Sequence, residues 1–264
     1  MGQYHQFMNF DKKEVYSPKF LRKLTEWSYQ RNDYMLEVEE LLKTSWKGDR
    51  VFVVGDYVSD FYDNSEHSDI LLQIRKENPN YRNRSIYDYP YKEVEVNTNH
   101  KIPYRYIYNH SLKQYLDLKQ QPIQRFNYDK NKNILYGVKY HPLPLLLSCS
   151  NGAGGGDYYY KNDKYVGKWV TNYSDIELSD KKLDLDYHEL YLLFDETKSD
   201  KLNAERIIDY LSNTFKNDVD VISDLKFDKA LFLDNDEIEF IKNQAKENIS
   251  KNIEKEIDER ERDM

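Results

Sequence analysis

The sequence predicts an α+β fold made of two related hairpin-plus-helix units, with an added helical segment at the C-terminus. Three observations lead to this prediction. The segments YHQFMNFDKKEVYS (4–17) and YRYIYNHSLKQYLD (104–117) align without a gap. Each is followed by a leucine-rich stretch and then by a tryptophan, Trp46 or Trp169. The C-terminal part of the chain has apolar residues at helical spacing.

Each aligned segment is typical of a β-hairpin. Aromatic or apolar residues alternate with polar ones, an asparagine and a polar turn with a lysine follow, and a second short apolar strand closes the pattern. The same order of elements therefore occurs twice, which predicts an internal repeat. Trp46 and Trp169 are expected at equivalent places.

The repeat predicts four segments along the chain. Residues 1–72 form the first α+β repeat and residues 73–102, rich in Asn, Tyr and Pro, form a connector. Residues 103–182 form the second repeat and contain a glycine-rich loop. Residues 183–264 form an acidic, mainly helical extension.

The last predicted helix, at about residues 235–261, starts with a capping-box pattern at Asp234 and Glu237. Its apolar positions are spaced mostly by four residues, so each step rotates the stripe by about 40° around the helix. Such a stripe cannot stay on one flat surface, and we expect the helix to dock by its first half and project by its second. These positions are Ile238, Ile241, Ala245, Ile249, Ile253 and Ile257.

Charge is distributed unevenly along the chain. Residues 1–176 carry 25 basic and 22 acidic side chains, whereas residues 177–264 carry 14 basic and 25 acidic ones. Binding to nucleic-acid phosphates needs an excess of Lys and Arg, so direct nucleic-acid binding is not expected. The acidic part is expected to prefer a protein with a basic surface.

Composition also predicts the compartment. The first twenty residues lack the apolar core of a signal peptide, and the longest apolar runs are too short to span a bilayer. The single cysteine, Cys149, leaves no internal disulfide and fits a reducing environment. We therefore expect a cytoplasmic protein without membrane contact.

The stretch NGAGGGDYYY (151–160) is the strongest candidate for a site. One interpretation is a tight turn. The other is a pocket in which glycine backbone amides and a carboxylate hold a polar ligand beside an aromatic wall that includes Trp169. The leucine-rich stretch before the loop, with Pro142 and Pro144 at its start, predicts a short helix that ends at Asn151–Gly152 with glycine as its C-cap. A nucleotide-binding P-loop is excluded because no Gly-Lys-Ser/Thr ending follows and no strand is predicted before the loop. The residues of this candidate pocket are Gly154, Gly155, Gly156, Asp157 and Trp169.

The segment WKGDRVFVVGDY places Asp49 beside Arg50, just before an apolar strand. An arginine held by a neighbouring carboxylate can clamp an anion, although a surface charge pair in a turn is the commoner arrangement. Asn172 and Tyr173 stand near the corresponding places of the second repeat. Repeat symmetry predicts that Asp49 and Arg50 share a surface with Asp157.

Metal and cofactor signatures are missing from the sequence. No calcium-loop spacing, paired cysteines, His-Glu-x-x-His or Gly-x-Ser-x-Gly motif occurs. We therefore expect no metal and no cofactor, and the sequence leaves open whether the protein is an enzyme.

Three segments in a fixed order resemble a family of uncharacterised bacterial and phage proteins: MGQYHQFMNFDKKEV, WKGDRVFVVGDY and HPLPLLLSCSNGAGGGDYYY with the following YVGKW. Members of this family start Met-Gly-Gln-Tyr and carry a Gly-Gly-Gly-Asp loop followed by a tryptophan and an Asp-Arg pair. The resemblance covers roughly residues 1–180. It departs from the family pattern at Ala153, where a basic residue is usual, and at residues 172–175, where the Asp-Arg pair is missing.

This resemblance implies an origin in phages and mobile elements. If the gene belongs to a phage, the protein is expected in the host cell cytoplasm. The resulting hypothesis is an accessory protein that acts by binding, with inhibition of a host factor as one form of that action. The alternative is an enzyme or ligand-binding protein that takes a small anionic or nucleotide-like molecule through the glycine-rich loop.

Overall fold

The computed structural model describes residues 3–18, 23–28, 33–58, 68–81, 83–96, 104–121, 123, 125–149, 165–171, 175–192 and 203–262. It confirms the α+β class, because the described residues form helices and three mixed sheets. The chain forms two compact units. The first contains Met1–Gln121 and Tyr140–Asp195, and the second contains Pro122–Lys139 and Glu196–Met264.

These compact units are drawn differently from the predicted segments. Residues 122–139, which the sequence places in the second repeat, belong with the C-terminal part of the chain. The reason is that they form a hairpin whose second strand, Ile134–Val138, pairs with the strand Lys226–Phe227 from that part.

The described strands are β1 (His5–Asn9), β2 (Glu14–Tyr16), β3 (Val51–Gly55), β4 (Lys92–Glu93), β5 (Tyr106–Asn109), β6 (Gln114–Asp117), β7 (Arg125–Asp129), β8 (Ile134–Val138), β9 (Ile176–Ser179), β10 (His188–Glu189) and β11 (Lys226–Phe227). The described helices are α1 (Leu24–Ser28), α2 (Asp33–Lys43), α3 (Ser68–Glu77), α4 (Pro142–Leu146), α5 (Asn203–Thr214), α6 (Asp220–Ser223) and α7 (Asn235–Arg262).

The first compact unit contains two four-stranded sheets with the same topology. The first sheet has the order β3-β1-β2-β4 and the second has the order β9-β5-β6-β10. In both sheets two strands form an antiparallel hairpin, β1–β2 or β5–β6. The first hairpin strand pairs on its other edge with an antiparallel strand, β3 or β9. The second hairpin strand pairs on its other edge with a short parallel strand, β4 or β10. The register is also the same, because Val51 lies opposite Asn9 and Ile176 lies opposite Asn109.

Trp46 and Trp169 are fully buried and make the same hydrogen bonds in the two sheets. The indole N–H of Trp46 donates to Glu14 Oε2 at 2.7 Å, and that of Trp169 donates to Gln114 Oε1 at 2.8 Å. Glu14 and Gln114 are aligned positions of the two hairpins. The tryptophan backbone amides donate to carbonyls of the leucine-rich helices, Leu41 for Trp46 and Leu146 for Trp169. The two tryptophans thus occupy equivalent positions.

A third hairpin, β7–β8, uses the same turn in the second compact unit, and the sequence analysis does not predict it. In each turn an Asx side chain accepts backbone N–H bonds from residues two or three positions later. The fourth residue after the Asx then adopts a left-handed conformation. The Asx and left-handed residues are Asn9 and Lys13 (φ 55°), Asn109 and Lys113 (φ 52°), and Asp129 and Asn133 (φ 49°).

The second strand of every hairpin pairs in parallel with a short later strand, at the same offset from the turn. Glu14 lies opposite Lys92, Gln114 opposite His188, and Ile134 opposite Lys226. Among the described residues, the same hairpin pattern therefore occurs three times. In each case a short strand from a distant segment pairs with the second hairpin strand.

Helix α4 ends at Leu146, well before the Asn151–Gly152 end that the sequence predicts, so that prediction is wrong. The chain instead continues extended along β3. The Val53 amide donates to Leu147, and the Cys149 amide donates to Val53. The glycine-rich loop is therefore entered from an extended segment that is bonded to a sheet, and not from a helix with a glycine cap.

The second compact unit has its core between the third sheet and helices α5 and α7. The buried apolar positions of α7 are Ile241, Ala245 and Ile249, and they pack in one cluster with α5. The predicted capping box is present, because the Glu237 amide donates to Asp234 Oδ1 and the Asp234 amide donates to Glu237 Oε2. From residue 250 to residue 259 every side chain is exposed.

Substitution of Glu14 tests the tryptophan anchor. Glu14→Gln keeps an acceptor oxygen and copies Gln114, so we expect a free energy of unfolding close to that of the parent protein. Glu14→Leu leaves the buried Trp46 N–H without this acceptor and is expected to cost about 1–3 kcal/mol. Urea unfolding followed by tryptophan fluorescence measures both, and equal losses in the two variants would contradict the anchor role.

Candidate functional site

The centre of the predicted pocket lies outside the described residues. This applies to Gly154, Gly155, Gly156 and Asp157, so their assignment to a ligand stays a prediction. Trp169 is described, and its ring is fully buried with the indole N–H satisfied by Gln114. In this structure the Trp169 ring is part of the core and has no exposed face for a ligand.

Arg50 is held by two carboxylates that the sequence analysis does not name. Its Nε donates to Asp11 Oδ1 at 2.8 Å, and its two terminal nitrogens donate to the Glu77 oxygens at 3.2 and 2.9 Å. These hydrogen bonds, those to Glu77 first, raise the pKa of Arg50 above its ordinary value. The hydrogen bond from Arg50 likewise lowers the pKa of Glu77 below 4.5.

Asp49 does not hold Arg50. Its carboxylate accepts a hydrogen bond from Asn9 Nδ2 at 2.8 Å and pairs with Lys12 at 3.1 Å. Both members of the predicted anion clamp thus bind the first hairpin or α3. An anionic ligand at Arg50 would have to displace a carboxylate, because two negative charges already surround one guanidinium group.

In the second sheet, the residue that corresponds to Arg50 is Asp175. The sequence alignment instead places Tyr173 near this position. The Phe10 amide donates to the Arg50 carbonyl at 2.9 Å, and the His110 amide donates to the Asp175 carbonyl at 3.0 Å. Phe10 and His110 are aligned positions, so the two carbonyls correspond. The second sheet therefore has an acid at the position where the first has a base.

A buried polar cluster joins three segments that are distant in the sequence. The Tyr104 hydroxyl lies 2.7 Å from Glu39 Oε1 and 2.7 Å from His141 Nε2, and the last two atoms are 3.1 Å apart. Glu39 is on α2, Tyr104 precedes β5, and His141 caps α4 by accepting the Leu143 amide at Nδ1. No local pattern predicts this cluster, because its members meet only in the folded chain.

The polar groups of this cluster satisfy one another. Burial first, and then the negative charge of Glu39, raise the pKa of Tyr104 well above its ordinary value of 10.0. The tyrosine therefore stays a neutral donor to Glu39 at physiological pH. We interpret the cluster as a structural connection between α2, α4 and the second sheet.

A second polar cluster lies on the face of the second sheet that carries Tyr106, Tyr108 and Tyr115. His110 Nε2 lies 2.9 Å from Glu177 Oε2, and His110 Nδ1 lies 3.1 Å from the Tyr187 hydroxyl. The His110 ring stacks on Tyr108 with 13° between the ring planes. About a fifth of the His110 side chain is accessible to solvent, so this cluster reaches the surface.

Among the described residues, no three His, Cys, Asp or Glu side chains are placed to hold one metal ion. Within the same part of the chain, no helix has both the length and the apolar character needed to cross a bilayer.

Comparison of the chain with protein-family models, with curated proteins and with solved structures finds no match. The resemblance to a family of phage and bacterial proteins therefore remains a proposal. The function has to be inferred from the geometry of this chain alone.

The Arg50 ion pairs predict a pH-dependent contribution to stability. Arg50→Gln is expected to lower the free energy of unfolding by about 1 kcal/mol at pH 7. Because the folded state depresses the pKa of Glu77, this contribution is present above pH 4.5 and is lost as the pH falls below that value. Urea unfolding at pH 7 and pH 3.5 measures the change.

Lys12→Gln is the matched control for Arg50→Gln. Lys12 is 43% exposed in its pair with Asp49, so its removal should cost little at either pH. Equal effects of the two substitutions at both pH values would show that Arg50 does not tie the hairpin to α3.

Tyr104→Phe tests the buried cluster. The variant keeps the ring but removes the hydroxyl that joins Glu39 to His141, and we expect a loss of about 1–3 kcal/mol at pH 7. Thermal unfolding measures it, with Tyr57→Phe as a control because Tyr57 is 56% exposed. A Tyr104→Phe protein as stable as the control would show that the cluster contributes nothing.

Proposed function

We propose that the protein is an accessory protein of a phage or mobile element that acts by binding a partner protein, with inhibition of a host factor as the purpose of the binding. The observation that carries this proposal is the projecting end of α7. The partner is expected to have a basic surface.

From Ile241 onward, the apolar residues of α7, which are spaced by four, divide between a docked and a projecting part. Ile241, Ala245 and Ile249 are at most 1% exposed, whereas Ile253 and Ile257 are 45% and 50% exposed. The division follows from helix geometry, because steps of four residues rotate the stripe away from α5. Two isoleucines one turn apart therefore point into solvent.

The projecting part, residues 250–262, which we call the arm, remains helical, and its side chains from residue 250 to residue 259 are exposed. It extends about 20 Å at 1.5 Å per residue. Ion pairs support its start and middle: Lys251 pairs with Glu247 at 2.6 Å, and Lys255 lies 3.9 Å from Glu259. Each such pair contributes only about 0.3–0.5 kcal/mol, so the arm is a preformed but marginal helix.

In the arm of α7, two exposed isoleucines have acidic residues as neighbours. Glu254, Glu256 and Asp258 are the acidic residues next to Ile253 and Ile257 along the chain. A partner that fits offers a shallow apolar groove with Lys or Arg at its rim, which is a known mode of helix recognition. The excess of acidic residues after position 176 would steer such a partner toward this part of the chain.

Deletion of residues 250–264 is expected to leave the melting temperature nearly unchanged, because the side chains of residues 250–259 are exposed. The same deletion should abolish capture of the partner from host lysate. Thermal unfolding and affinity capture with quantitative mass spectrometry measure the two effects. A large fall in melting temperature would show that the end of α7 belongs to the core.

A pair of single substitutions sharpens the test. Ile257→Glu should remove the captured partner, whereas Leu72→Glu should retain it, since Leu72 is an equally exposed apolar residue (46%) on another helix, α3. Equal capture by both variants would contradict the arm as the binding element. A thermal shift with nucleotides or sugar phosphates that Asp157→Ala abolishes would instead favour ligand binding at the glycine-rich loop.

A further inference from the structure

We propose that Glu177, His110 and Tyr187 form a relay that makes the Tyr187 hydroxyl a nucleophile toward uncharged acyl-type electrophiles. This inference does not depend on the proposed binding function. It rests on the geometry of the three side chains and on a comparison between the two sheets of the first compact unit.

The first sheet shows what these positions hold when only packing is required. Phe10 there contacts Phe52, with ring centroids 5.4 Å apart, and contacts Tyr91 edge-on at 5.9 Å and 72°. The same places in the second sheet hold His110, Glu177 and Tyr187. The edge-on contact is retained, because the His110 and Tyr187 rings lie 5.7 Å apart at 71°.

These correspondences follow from the pairing registers. Phe52 lies opposite Met8 as Glu177 lies opposite Tyr108. Tyr91 and Tyr187 each precede the short parallel strand that pairs with the hairpin.

The scaffold therefore does not need polar groups here in order to fold. In the first sheet the corresponding face is part of an apolar cluster that includes residues of α3. In the second sheet a single segment without a helix, residues 180–187, connects β9 to β10. The polar trio occupies a position that the architecture leaves open to solvent.

The hydrogen bonds fix the direction of proton transfer. An ionised carboxylate can only accept, so His110 Nε2–H donates to Glu177. In the neutral imidazole, His110 Nδ1 then carries the lone pair and accepts the hydrogen bond from the Tyr187 hydroxyl, 3.1 Å away. This is the arrangement of carboxylate, imidazole and hydroxyl that activates hydroxyl nucleophiles in enzymes. Glu177 acts through His110 and is a positioning residue.

The step proceeds with all atoms accounted for. Tyr187 Oη attacks the carbonyl carbon of an ester, and its proton passes to His110 Nδ1 while Glu177 stabilises the imidazolium. The bond from the carbonyl carbon to the alcohol oxygen then breaks, and the alcohol leaves with the proton from His110. The acyl group remains on Tyr187 as an aryl ester.

The local charge selects the class of electrophile. Residues 175–189 carry six carboxylates, namely Asp175, Glu177, Asp180, Asp184, Asp186 and Glu189, against two lysines, Lys181 and Lys182. Phosphorylated or otherwise anionic donors are repelled by this surface. Uncharged esters and sulfonyl fluorides are not.

Labelling with phenylmethanesulfonyl fluoride tests the inference on the full chain. Here the Tyr187 oxygen displaces fluoride from sulfur and forms a stable sulfonate, which peptide mass spectrometry locates. At pH 7.5 we expect Tyr187 to react at least tenfold faster than Tyr57, which is 56% exposed and serves as the internal reference. A Tyr187 rate equal to that of Tyr57 would overturn the proposal.

Two variants separate activation from simple exposure. His110→Phe copies Phe10 and should lower the Tyr187 rate to that of Tyr57 while leaving the melting temperature close to that of the parent protein. Glu177→Gln should lower the rate less and should move the pH profile of labelling toward lower pH, because without the carboxylate that stabilises the imidazolium His110 becomes a neutral base at lower pH. A purely structural role of Glu177 would leave that profile unmoved, and unchanged labelling in either variant contradicts the relay.

Discussion

A buried indole N–H that needs an acceptor organises each half of the first compact unit. Trp46 and Trp169 have no access to water, so each donor must be paired inside the protein. Glu14 and Gln114, at the start of the second hairpin strand, supply the acceptors. The same tryptophans bond through their backbone to the leucine-rich helices. In each half, one tryptophan residue thus connects the hairpin, through its side chain, with the leucine-rich helix, through its backbone.

The hairpin is the element that the chain reuses. An Asx side chain closes the turn, a left-handed residue reverses the chain, and the second strand recruits a short parallel partner from far along the sequence. Because the pairing is set by backbone groups, the side chains on the face that carries Met8 in the first sheet and Tyr108 in the second are free to differ. They form an apolar cluster in the first sheet and a cluster of tyrosines with His110 and Glu177 in the second.

Electrostatics gives similar residues different roles in the two halves. Arg50 is neutralised by Asp11 and Glu77 and ties the turn of the first hairpin to α3. The corresponding position in the second half is Asp175, and acidic residues dominate the surface from there to Glu189. The acidic character continues into the arm of α7. The chain therefore has a compact first half with paired charges and a later part whose charges face solvent.

The sequence by itself determined the features that depend on neighbours along the chain. The two aligned hairpins, the order of helix, tryptophan and strand, the capping box of α7 and the rotation of its apolar stripe are all local patterns with a fixed period. Even the third hairpin has its local signature, since Asp129 and Asn133 repeat the spacing of Asn9 and Lys13.

Only the tertiary structure decided which distant groups meet. The two carboxylates of Arg50, the cluster of Glu39, Tyr104 and His141, and the trio of Glu177, His110 and Tyr187 join segments up to 102 positions apart. The parallel strands β4, β10 and β11 are two residues long and carry no readable period. Their places follow from the free backbone edge that each hairpin offers, and this edge exists only after the chain has folded.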